Sequence, residues 1–134
     1  MLTVEITSFS FKKGYPEDTS GNGGGFVFDC RALPNPGRYK EYATVNGTQQ
    51  PVIEFFTKYQ IECEDFLSNV YSLTSQSIKK YIERDFTHLM INFGCTGGQH
   101  RSVYFAEKTA EYIKQNFPVK VVVRHREQNI VKEL

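Results

Sequence analysis

Residues 89–117 read LMINFGCTGGQHRSVYFAEKTAEYIKQNF, and no other stretch restricts the fold as strongly. The apolar run 89–93 has strand length, the glycine-rich stretch 94–98 turns the chain, and Val103, Ala106, Ala110, Ile113 and Phe117 recur at helical spacing. Strand, glycine turn and helix in this order leave the first helical amides without intrahelical partners, at the positive end of the helix dipole, where an anion is favoured. Thr96, His100, Arg101 and Ser102 add donors, and the turn carries no carboxylate. Arg is the side chain best shaped to hold phosphate through two parallel hydrogen bonds. The stretch reads as a phosphate seat.

Around this unit the chain supplies more strands and helices. Leu2, Val4 and Ile6 alternate with polar residues, which predicts a strand over 2–8. Residues 11–25, with Lys12, Lys13, Pro16, Asp18 and the run GNGGG, predict a long surface loop. FVFDC at 26–30 predicts a second strand, at whose end Asp29 and Arg31 stand two apart on one face, where they can pair or act on a common ligand; by themselves they read as a salt bridge capping the strand. LPNPG at 33–37 is a turn, and 38–50 shows no clear period.

Pro51, Val52, Phe55, Phe56 and Tyr59 predict a short helix. Residues 62–84 predict a long one, with Phe66, Val70, Leu73, Ile78, Tyr81 and Ile82 on its apolar face and acids in its first turn. After Pro118, the valine-rich run 119–123 predicts a strand that delivers Arg124, His125 and Arg126 to its carboxyl end. If that strand runs parallel to 89–93, RHR and the glycine turn share one rim. The expected fold is α/β: a single domain over 1–134, a mixed sheet of about four strands flanked by helices, and a mixed-charge tail over 127–134.

With 134 residues the chain suits one domain, and 16 Lys plus Arg against 15 Asp plus Glu give a net charge of +1, so any pull on nucleic acid is local. No basic, apolar leader and no run of membrane-spanning length occurs, so a cytoplasmic protein without a membrane partner is expected. Three cysteines, Cys30, Cys63 and Cys95, with no C-x-x-C pair, suggest neither disulfides nor a metal site. No cofactor is called for, and the sequence leaves open whether the chain forms a homo-oligomer.

CTGGQHRS also resembles the phosphate loop of protein tyrosine phosphatases, Cys-x5-Arg-Ser/Thr. There a thiolate at a helix N-terminus attacks phosphorus while loop amides and the Arg hold the oxygens, which would make Cys95 the nucleophile and Arg101 its catalytic partner. Gly94, however, stands where that family usually has a His, and no flanked general acid is evident. A non-catalytic binding role is the expectation, with the phosphatase as the alternative.

A resemblance of larger extent covers nearly the whole chain. SFSFKKGYP, FVFDCRALPNP, the segment 51–56, FGCTGGQHRSVYFAE and VVVRHRE, in this order, are similar to the C-terminal domain of the RNase adapter protein RapZ family. The resemblance implies an α/β domain that binds an amino-sugar phosphate, glucosamine 6-phosphate. It also implies RNA and an RNase as partners. Carried over residue by residue, Cys95, Thr96, Gly97, Gly98, His100, Arg101 and Ser102 match the loop that would hold the phosphate. Asp29 and Arg31 match the strand-end DxR, and Arg124, His125 and Arg126 the terminal RHR, as candidates for the sugar or for RNA phosphates. Lys13 stands where the family commonly has a His. The family's nucleotide-binding domain has no counterpart here, no GxxxxGK[ST] is present, and the tail ends VKEL where a basic run would serve RNA.

Overall fold

The computed structural model describes residues 1–22 and 24–134; Gly23, within the stretch expected to be a loop, lies outside the described residues. The elements run β1 (Thr3–Ser10), β2 (Gly25–Asp29), α1 (Gln50–Thr57), α2 (Gln60–Glu83), β3 (His88–Cys95), α3 (Arg101–Asn116), β4 (Lys120–His125) and β5 (Ile130–Glu133). They form one α/β domain around a five-stranded sheet of order β2-β3-β1-β4-β5. The first four strands in this order are mutually parallel and β5 is antiparallel to β4. The expectation of about four strands is corrected to five. The missing strand lies in the tail, where IVKE is too short and too charged to show a strand period.

Alternation assigns the two faces of the sheet. Val4, Ile6, Leu89, Ile91, Phe93, Val121 and Val123 are buried on one face with Phe26 and Phe28, and α3 lies across β1, β3 and β4 on that side. α2 rests on α3, and α1 on α2, with Phe56 against Tyr104 and Phe105. Each fully buried Phe or Ile here contributes about 1.5–3 kcal/mol relative to an exposed one. In α2 the inward face is Cys63, Leu67, Val70, Thr74 and Ile78, whereas Leu73 is half exposed, a rotation from the stripe expected.

The other face of the sheet carries Glu5, Thr7, Phe9, Met90, Asn92, Val27 and Arg124. Among the described residues no helix covers it. It is crossed by the chain after β1, where Phe11 packs edge-on against both Phe9 and Tyr15 and Asp18 faces His88. Parallel sheets usually have both faces covered, so this crossing segment substitutes for a second helical layer. Among the described residues no helix is long and apolar enough to cross a membrane.

Candidate functional site

The glycine turn is shaped from beneath. β3 extends through Cys95, and a Cβ on Gly94 would stand 2.5 Å from a Phe11 ring carbon and 2.6 Å from Phe9, so the His of the phosphatase motif has no room there. Gly98 adopts φ +66, and a Cβ on it would lie 2.7 Å from both the Ser10 nitrogen and Cγ of Glu127. Ser10 Oγ donates to the Thr96 carbonyl at 2.6 Å, and Gln128 Nε2 donates to the Gly98 carbonyl at 2.8 Å. With these carbonyls held, Thr96 and Gly97 are exposed, and no acceptor among the described residues takes the amides of Thr96, Gly97, Gly98, Gln99 or His100.

The motif side chains split between structure and surface. Cys95 is buried, its Sγ 3.2 Å from the Ser102 hydroxyl and 3.4 Å from the Ser102 amide, which donates to it. His100 is buried too, donating Nε2–H to the Tyr42 carbonyl at 2.8 Å and so pinning the segment before α1. Arg101 is 6% exposed; its Nη1 donates to the carbonyls of Arg31 at 2.8 Å and Leu33 at 3.2 Å, while Nε and Nη2 have no acceptor among the described residues. This guanidinium anchors the LPNP turn, and the residue lines a cleft.

That cleft, about 590 Å³, lies at the carboxyl ends of β2 and β3, where open α/β sheets collect ligands. Arg31, Arg38 and Arg101 converge on it beside Thr96, with Tyr39 and Tyr59 as aromatic walls. Glu62, in the first turn of α2, is its one carboxylate among the described residues. Asp29 and Arg31 form the two-pronged ion pair expected of their spacing, Nη2 to Oδ2 at 2.7 Å and Nε to Oδ1 at 2.9 Å, and the Arg31 guanidinium sits 4.1 Å over the Phe11 ring. The Arg31 hydrogen bond holds the Asp29 carboxyl below its ordinary range. Arg38 has no acceptor among the described residues.

Lys13, Arg124 and Arg126 line a different cavity, on the helix-free face. Arg124 Nε pairs with Glu5 at 3.1 Å, and Arg126 Nη2 donates to the Gly14 carbonyl at 2.8 Å and to Glu127 at 3.0 Å. His125 points the other way, fully buried, with Nδ1 2.7 Å from the Ser8 hydroxyl and Nε2 3.0 Å from Glu107. β4 and β3 are both parallel to β1, so RHR and the glycine turn do share the carboxyl edge, but period two sends the side chains of RHR to opposite faces.

Arg38, Tyr39, Tyr59, Glu62, Glu127 and Gln128 were not singled out by their sequence positions. Arg38 directly follows the LPNPG turn, and its position there is the only signal available. The supports of the loop, Glu127 and Gln128, are set by tertiary register alone.

The family described as the RapZ C-terminal domain matches residues 2–129. A protein of Pseudothermotoga lettingae called a nucleotide-binding protein is 40% identical over 128 residues, covering 96% of this chain and 43% of that one. Proteins of the same description from Thermotoga neapolitana and Staphylococcus epidermidis are 36% and 38% identical, over 94% and 96% of this chain and 42% and 41% of theirs. The chain spans about two fifths of the length of the curated relatives it matches.

Proposed function

Because the chain belongs to the RapZ C-terminal domain family, we propose that it is a non-catalytic binding domain for a phosphorylated metabolite, of the class of amino-sugar phosphates such as glucosamine 6-phosphate. The observation that carries this reading is the convergence of Arg31, Arg38 and Arg101 with Thr96 on one cleft beside five amides that have no acceptor among the described residues. The phosphate sits between the free end of Arg101, Arg38 and the amides of 96–98, where charge-assisted hydrogen bonds are strongest. The sugar lies against Tyr39 and Tyr59, and Glu62 offers an acceptor to its ammonium. A cleft of about 590 Å³ suits a ligand of this size.

We favour binding over phosphoryl transfer because Cys95 is buried beneath Ser102 and Arg101 is committed on one side to the LPNP turn. The name nucleotide-binding protein belongs to relatives more than twice this length, and nucleotide hydrolysis is not carried over. An adapter role toward RNA or an RNase would draw on the exposed cations Lys12, Lys13 and Arg124, and would show as a salt-dependent gel shift.

Calorimetric titration with glucosamine 6-phosphate and with inorganic phosphate tests the main reading. Arg38→Ala should weaken binding by about 10-fold or more, the loss of one charge-assisted contact. Cys95→Ser should bind within about 2-fold of the wild type, and iodoacetamide should alkylate Cys95 slowly in the folded protein. Absence of heat with both ligands, or rapid alkylation with turnover of an aryl phosphate, would exclude it.

A further inference from the structure

The helix-free face of the sheet holds a cavity of about 550 Å³ that the cleft just described does not use. Its floor is β1 and β3, through Thr7 and Met90, and its roof is the crossing segment from Tyr15 to Thr19. Lys13, Arg124 and Arg126 enter it from two separate parts of the chain. Arg124 is balanced by Glu5, and Arg126 is shared with Glu127. Glu17 also lines the cavity and Glu127 lies within electrostatic reach of Lys13, but Lys13 makes no hydrogen bond or ion pair among the described residues.

A second, independent observation lies in the floor. Thr7 is 0% exposed, and its hydroxyl oxygen makes no hydrogen bond among the described residues. Valine fills the same volume as threonine and is the ordinary choice for a buried strand position. An unpaired hydroxyl there costs roughly what a lost hydrogen bond does unless something in the cavity completes it.

We propose that this cavity is a second binding site, for a compact anion that also carries a hydroxyl group: a small phosphate ester or a hydroxycarboxylate. Its oxyanion meets Lys13 and the outer edges of Arg124 and Arg126, the Thr7 hydroxyl donates to it, and the Tyr15 and Pro16 roof covers its carbon body. The site is distinct in face and in residues from the arginine cleft, and its occupancy does not depend on that cleft binding a ligand.

The test is amide chemical-shift mapping of the wild-type protein and of Arg38→Ala during titration with glycerol 3-phosphate and, separately, with malate. Arg38→Ala removes the other cleft from the result. The amides of Thr7, Lys13, Tyr15 and Arg124 should move together in both proteins, and the better of the two titrants identifies the kind of oxyanion. Lys13→Ala should raise Kd by about 10-fold and Thr7→Val by about 5-fold, the latter without lowering Tm. The proposal is overturned if neither titrant moves these amides, if the shifts are confined to 96–101 and vanish in Arg38→Ala, or if Thr7→Val leaves Kd unchanged.

Discussion

Arg101 shows how one side chain serves both scaffold and ligand. Its Nη1 ties the carbonyls of Arg31 and Leu33 to the start of α3, and the same side chain lines the cleft. The residue type was legible from the motif, and so was the Asp29–Arg31 pair, because period two alone places those side chains together. The aim of Arg101 was not legible, since its acceptors are backbone atoms some seventy positions earlier. Gly98 illustrates the same limit. Its positive φ and the atoms of Ser10 and Glu127 around it demand glycine, and nothing local announces those neighbours. Gly98→Ala should therefore cost about 1–3 kcal/mol, read from the denaturant midpoint, and should also weaken phosphate binding because the loop must shift.

At the scale of elements, β4, α3 and the chain end are fastened by one buried group. His125 donates Nε2–H to the Glu107 carboxylate at 3.0 Å, its Nδ1 stands 2.7 Å from the Ser8 hydroxyl, and Lys132 from β5 reaches the same carboxylate. Burial works against the Glu107 carboxylate, yet the hydrogen bonds from His125 and Lys132 outweigh it and hold the group below its ordinary value of 4.5. A carboxyl whose folded value is depressed stabilises the fold above the unfolded value, and that contribution is lost as pH falls through the folded one. Tm should thus decline as the pH drops below about 4.5, and Glu107→Gln should lose less Tm than the wild type between about pH 5 and about pH 3. Glu127, held low by Arg126 and the Ser10 amide against its own burial, and Asp18, brought to about 2 by Ser20 and Gly24, add to the same acid limb. The helices and the first four strands were readable because their apolar periods are strong; β5 was not, since two charged residues in four leave no pattern.

Taken whole, the molecule has two unequal sides: a helical layer over one face of the sheet and a single crossing segment over the other. The family match ends at 129, and β5 lies beyond it. Removing 130–134 should leave a cooperatively unfolding domain, with Tm lowered by roughly 5–10 °C as the β4 edge and the Lys132 contact are lost. A multiphasic melt would show that β5 is integral to the core. The α/β class and the parallel arrangement followed from strand, turn and helix in succession, but which face each connection crosses depends on the global strand order.

That order places the earliest-made strand in the middle: Thr3 is paired with His88 on one side and with Lys120 on the other. On a ribosome, β1 therefore emerges long before either neighbour exists, and loop closure over such separations is slow. Its apolar residues must be sheltered until both β3 and β4 have left the exit tunnel, so this domain acquires its native shape only once residues 120–125 have emerged.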